Sequence, residues 1–312
     1  MKNLLNITDL SKETIEHIFQ LSSKYYHPTN QLQWKNIVFA FEKPSLRTKL
    51  ATEVAISQLG GHVIHIEPQI FYGWKVFSTE DETKLNAWRE SLKDTVRNIN
   101  QWCDAIFARV FAHQTLLDID SYSELRVVNA LCDQHHPMQA LADLYTIQEI
   151  YGASRVVVAF VWDSNNVAFS LTEILLKFGH EVRIASPSEY VFSDARQVYL
   201  TALARDHHTT ILFTNDPTIA VRDADCIYTD AFVSMWEESI YDAKMRQFEG
   251  YQVNDLLMSL AKPYAHFMHC LPAHRWIEVT DSVIDGPWSL VYNQARNRMV
   301  VSRGVFLNLF DI

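Results

Sequence analysis

Residues 38–50 read VFAFEKPSLRTKL. Val38-Phe39-Ala40-Phe41 is an apolar run of the length expected for a buried strand. Leu50, Val54 and Leu59 follow at helical spacing, and Gly60-Gly61 closes the helix. A strand that bends into a helix through Pro44-Ser45 is the opening half of a parallel β-α-β unit, so this corner sets the fold class. It also carries Lys43, Ser45, Arg47, Thr48 and Lys49. The first turn of a helix presents unpaired N–H groups and a partial positive charge, a natural seat for a phosphate. Arg47 adds a forked donor, and Ser45 and Thr48 add hydroxyls. The plainer alternative is that Ser45 caps the helix and the cations are solvated. No GxxxxGK[ST] is present, which excludes the nucleotide P-loop.

Working outward, strand-like runs alternate with helical patterns almost throughout. Strands are expected at 36–41, 62–67, 105–108, 126–129, 155–160, 181–185, 210–213, 226–229 and 266–269. Helices are expected at 48–59, 90–102, 137–151, 166–178, 193–206, 236–247 and 253–261. This rhythm predicts an α/β protein with two doubly wound parallel-sheet domains and the active site in the cleft between them. The helix HPMQALADLYTIQEIYG ends at Gly152 before a fresh apolar run, RVVVAFVWD, and marks the seam. The domains expected are 1–148 and 149–292, with a C-terminal helix over 293–312 returning to the first. Residues 68–90, PQIFYGWKVFSTEDETKLNAWRE, are long, aromatic and charged, as expected of a functional loop.

Composition narrows the function classes. The 312 residues carry a net charge of -10, which argues against a nucleic-acid or anionic-membrane surface and leaves anion binding to local clusters. Cys103, Cys132, Cys226 and Cys270 show no CxxC spacing, consistent with a reducing, cytoplasmic setting. The N-terminal stretch turns polar too soon for a secretory signal. It reads as an amphipathic helix with Ser11 as N-cap and Ile15, Ile18 and Phe19 inward. No apolar run is long enough to cross a bilayer.

Four further strand ends carry chemistry. In NALCDQHHPMQALAD, His136 and Gln139 stand at a helix start headed by Pro137. His136 suits a carbonyl oxygen and Gln139 a planar amide, although capping by His136 would serve as well. No i,i+4 histidine pair or Cys/His ladder accompanies them, so no metal is expected. In FMHCLPAHRW, Cys270 and Leu271 sit where an open sheet keeps its ligands. Cys270 is either a nucleophile or, more commonly, an inert thiol. YTDAFVSMWEE ends a strand with Asp230, Ser234 and Met235, where an acid suits an ammonium group or a solvated turn. FVWDSNNVAFSL leads to Asn166 without GxGxxG, which disfavours a dinucleotide.

FEKPSLRTK, HHPMQALAD, DSNNVAFSL, DAFVSMWEE, HCLPAHR and ARNRM occur in this order along the whole chain. Together they resemble the aspartate/ornithine carbamoyltransferase family, on its ornithine side. The resemblance implies a carbamoyl-phosphate-binding domain over 1–148 and an amine-acceptor domain over 149–292. The implied reaction moves the carbamoyl group to the side-chain amine of L-ornithine, giving citrulline and phosphate. It assigns Ser45, Leu46, Arg47 and Thr48 to the phosphate, and Arg109 and His136 to the carbamoyl oxygen. Gln139 falls to the carbamoyl amide, and Cys270 and Leu271 to an elbow beside both substrates. Arg298 reaches carbamoyl phosphate, while Asn166, Asp230, Ser234 and Met235 bind the amino-acid part of the acceptor. Arg47, Arg109, His136 and Cys270 form the catalytic set. It further implies a homotrimer with shared sites, the 68–90 loop reaching a neighbour, and neither metal nor cofactor.

Three positions depart from the family pattern. Leu46 replaces a threonine, Trp236 replaces a glycine, and the 68–90 loop is longer and contains Trp74 in GWKVF. Trp74 and Trp236 point to specificity and keep open another acceptor: putrescine, an N-acylornithine or a shorter diamino acid. Leu46 keeps open a catalytically silent regulatory paralogue.

Overall fold

The computed structural model describes residues 1–24, 28–67, 90–231 and 241–312, apart from the side chains of 241–243. Two compact units emerge, Met1–Met138 with Arg298–Ile312, and Gln139–Asn297.

The first unit is built on four parallel strands, β1 (Asn36–Phe41), β2 (His62–Ile66), β3 (Ala105–Arg109) and β4 (Arg126–Leu131), in the order β2-β1-β3-β4. Its helices are α1 (Lys12–Lys24), α2 (Leu46–Gln58), α3 (Leu92–Ile99) and α4 (His113–Tyr122). β1 and β3 are buried almost end to end, which is why they read as continuous apolar runs rather than alternating ones. Val38, Ala40, Ile106 and Val127 pack with Val96 and Ile99 of α3 and Leu116 and Ile119 of α4. On the opposite pleat Phe39 meets Phe107 at 4.9 Å between ring centroids, and Phe107 meets Phe306 at 6.1 Å. The sheet is therefore covered on both faces. α1 begins as the sequence predicts, with Ser11 Oγ accepting from the Thr14 N–H and Ile15, Ile18 and Phe19 buried.

The second unit carries five parallel strands, β5 (Val157–Val161), β6 (Glu181–Ala185), β7 (Ile211–Thr214), β8 (Cys226–Thr229) and β9 (His266–His269), ordered β7-β6-β5-β8-β9. The remaining helices are α5 (Pro137–Tyr151), α6 (Asn166–Lys177), α7 (Asp194–Asp206), α8 (Pro217–Val221), α9 (Tyr241–Gln247), α10 (Asp255–Met258), α11 (Asp281–Ile284) and α12 (Val291–Leu309). α6 is buried at ten consecutive positions, Val167 to Leu176, with Ser170, Thr172 and Glu173 among its otherwise apolar residues. The chain passes from one unit to the other inside α5 and again inside α12.

Both sheets are doubly wound, as the sequence predicts. α4, α8 and α11 have no counterpart among the helices expected from sequence. α4 supplies the crossover between β3 and β4, but its start, Ala112, makes no side-chain cap and it buries only Leu116 and Ile119. Such a short segment gives little periodic signal. The strand order places switch points between β1 and β3 in one sheet and between β5 and β8 in the other, where open α/β sheets bind ligands.

Candidate active site

The first unit gathers donors at its switch point. β1 and β3 end side by side, with Phe41 in register with Arg109. The chain leaves β1 and enters α2 through Ser45, whose extended backbone (φ -151°, ψ 114°) makes it the N-cap residue. Its hydroxyl makes no capping hydrogen bond, so the plain capping alternative does not describe this serine. Leu46 is exposed, Arg47 is partly exposed and Thr48 is buried. Arg298 of α12, also buried, donates Nη2–H to Thr48 Oγ1 at 2.8 Å. His136, at the end of the β4–α5 connection, is buried as well. Its imidazole is held well below the usual range, first by burial and then by the nearby guanidinium groups of Arg298 and Arg109. Thr48, Arg109, His136 and Arg298 thus surround one spot, with two fixed positive charges and a neutral imidazole. That combination suits a phosphate ester with an adjoining carbonyl. A hollow of about 340 Å³ flanks the corner, lined by Phe39, Phe41, Ser45, Lys49, His65 and Ile66 among others.

The second unit gathers acceptors at its own switch point. Asn165, after β5, caps α6 by accepting from the Val167 and Ala168 N–H groups, and its Nδ2–H donates to Asp230 Oδ2 at 2.7 Å. Asn166, the first residue of α6, is partly exposed. Asp230, after β8, also accepts from Cys270 Sγ at 2.6 Å and from the Ala231 N–H. The thiol proton of Cys270 is therefore engaged by a carboxylate, an arrangement for holding a side chain rather than for baring a thiolate. Leu271 takes a positive φ of 57°, and its N–H donates to His269 Nδ1 at 2.8 Å. His269 in turn presents Nε2 to the buried Glu278 at 3.3 Å. A carboxylate beside a polar helix start is suited to an ammonium and amino-acid group.

Gln139 is buried on α5, and its Nε2–H donates to Asp143 Oδ1 at 2.8 Å. Asp163 pairs at 2.6 Å with the fully buried Lys244. Ser234, Met235, Trp74, Trp236 and the 68–89 stretch lie outside the described residues. Asn165, Asp143, Gln294, His269 and Glu278 are not singled out by the sequence reading. Only the i,i+4 spacing of Gln139 and Asp143 carries any hint. Among the described residues no group of three or more His, Cys, Asp or Glu side chains gathers as a metal site, and no helix is long and apolar enough to cross a membrane.

Two parallel α/β units, one collecting cationic and hydroxyl donors and the other carboxylate and amide acceptors, define a group-transfer protein for an anionic donor and an amine. Residues 2–149 match the aspartate/ornithine carbamoyltransferase carbamoyl-P binding domain, and residues 154–309 match the Asp/Orn binding domain of the same proteins. An ornithine carbamoyltransferase of Hyperthermus butylicus is 43% identical over 97% of this chain and 96% of its own length; one from Bacillus subtilis is 38% identical over 97% and 92%. Among solved structures, ornithine carbamoyltransferase from Pyrococcus furiosus superposes with a TM-score of 0.89 at 36% identity, covering 99% of this chain and 97% of that one. The chain belongs to the aspartate/ornithine carbamoyltransferase family.

Proposed function

We propose that this chain transfers the carbamoyl group of carbamoyl phosphate to the side-chain amine of L-ornithine, giving L-citrulline and inorganic phosphate. The observation that carries the reading is the convergence of Thr48, Arg109, Arg298 and a neutral His136 at the β1/β3 switch point. Residues 1–148 with 293–312 take carbamoyl phosphate, and residues 149–292 take the amino acid. Ser45, Arg47, Thr48 and Arg298 hold the phosphate, and Leu46 contributes its backbone N–H. The neutral amine of ornithine attacks the carbamoyl carbon; the new C–N bond forms as the C–O bond to phosphate breaks, and the phosphate leaves with the electron pair. The amine proton departs to phosphate or water. Negative charge on the carbonyl oxygen during attack is met by Arg109 and the N–H of His136, donors fixed before the reaction begins. Gln139 accepts from the carbamoyl amide. Asn166, Asp230, Ser234 and Met235 hold the acceptor's amino-acid end beside Cys270 and Leu271. Holding both reactants in line supplies much of the remaining rate.

We further propose a cytoplasmic homotrimer. Leu46, Leu50 and Val54 recur every fourth residue along α2 and are 68%, 51% and 43% exposed, an apolar stripe suited to a second copy. All four cysteines are free thiols, in keeping with a reducing compartment.

The test is citrulline and phosphate formation from carbamoyl phosphate with L-ornithine, putrescine and N-acetylornithine in parallel. Ornithine is expected to give the highest kcat/KM, and Arg47→Ala to lower it about 10²–10³-fold. No product with any amine would refute the reading.

A further inference from the structure

Asp143 is buried within the second unit and collects three neutral donors. Gln139 Nε2 and Gln294 Nε2 reach Oδ1 at 2.8 Å and 2.7 Å, and the Tyr228 hydroxyl reaches Oδ2 at 2.9 Å. A carboxylate offers only acceptors, so each amide facing it must present its NH2 group. Gln294 is fixed the same way from its other end, because its Oε1 accepts the His269 N–H at 2.9 Å. His269 then accepts the Leu271 N–H on Nδ1 and leans on Glu278 through Nε2. One buried chain of hydrogen bonds thus runs from Gln139 through Asp143, Gln294 and His269 to the elbow at Cys270-Leu271. Tyr228 remains a donor throughout, since burial first, and then the charge of Asp143, push its hydroxyl well above the usual phenol range.

We propose that Asp143 is a positioning residue for carbamoyl transfer: by claiming the NH2 end of Gln139 it turns the Gln139 carbonyl oxygen toward the carbamoyl NH2 of the substrate. This rests on the carbamoyltransferase reading above. An amide in the opposite sense would set NH2 against NH2, leaving two donors unmatched in a buried place. The same carboxylate, through Gln294 and His269, ties that orientation to the elbow, so the carbamoyl-facing amide and the elbow are set by one network.

The test compares Asp143→Leu with Asp143→Asn. In Asp143→Leu nothing at this position accepts the Gln139 NH2, and the amide is free to turn. Its kcat/KM for carbamoyl phosphate is expected to fall about 10²-fold, while inhibition by inorganic phosphate stays within about threefold. In Asp143→Asn the introduced Oδ1 still accepts from Gln139 and Gln294, and the introduced NH2 donates to the Tyr228 hydroxyl, which can accept. At least about tenfold of the kcat/KM lost in Asp143→Leu should be retained. Tyr228→Phe, which leaves Gln139 oriented, should stay within about threefold of the parent. A direct readout needs no turnover. The Gln139 side-chain NH2 should be protected from hydrogen exchange by ¹⁵N NMR in the parent and in Asp143→Asn, and that protection should disappear in Asp143→Leu. An exposed Gln139 NH2 in the parent, or an Asp143→Asn variant no better than Asp143→Leu, would overturn the proposal. A protected NH2 in a parent that makes no citrulline would leave the orientation standing and refute the carbamoyltransferase reading instead.

Discussion

His136 concentrates the residue-scale physics. Burial and two guanidinium neighbours keep it neutral, and in the proposed reaction it acts as a hydrogen-bond donor with no charge of its own. The linkage has a definite sign. An imidazole whose folded pKa lies below its unfolded value costs nothing at pH above about 6.5, where both states are neutral. Below that pH the unfolded chain takes up the proton and the folded chain does not, so stability is lost. For this one group stability therefore falls as the pH drops from 7.5 to 5.5. Urea unfolding at the two pH values is expected to show that difference between the parent and His136→Asn, whose own acid dependence lacks the contribution. Equal pH dependence in the two proteins would contradict the electrostatic picture. The type of residue at 136 is legible in HHPMQ. Its protonation state is not, because it follows first from burial in the fold and then from Arg298 and Arg109, which are distant in sequence.

Among the elements, α12 shows what a helix can carry beyond its apolar face. It brings Arg298 to Thr48 and, further along, lays Gly304 against α1. A Cβ added at Gly304 would collide with the Ile18 carbonyl oxygen and the Ser22 hydroxyl, so the glycine is there for close approach rather than for a turn. Gly304→Ala is expected to destabilise the protein by about 1–3 kcal/mol, despite alanine's better helix propensity, as measured by chemical denaturation. A neutral or stabilising change would show that α1 gives way freely. The strands are legible because parallel strands buried on both faces are written as unbroken apolar runs such as Val38–Phe41. α4 is not, since it has neither cap nor stripe. The network about Asp143 is equally hidden: Gln294 lies 151 residues away, and no local periodicity pairs them.

At the scale of the whole molecule, the order of strands explains why the corner after Val38–Phe41 is so informative. β2 and β3 flank β1 on opposite sides, the arrangement that leaves a crevice at the carboxyl ends of an open sheet. The sequence shows the corner's residues; only the topology shows that Arg109 ends beside them. The exposed stripe Leu46-Leu50-Val54 belongs to the same scale, and Leu50→Glu is expected to shift the light-scattering mass from three copies to one. A mass unchanged by that charge would place the contact elsewhere. The most direct test of the central claim follows the carbamoyl carbon itself. With ¹³C-carbamoyl phosphate and L-ornithine, NMR should show the label moving into the ureido carbon of citrulline, one phosphate per transfer, with the rate falling about 10²–10³-fold in Arg109→Gln. Phosphate release without a ureido signal, or transfer that ignores the loss of Arg109, would contradict it.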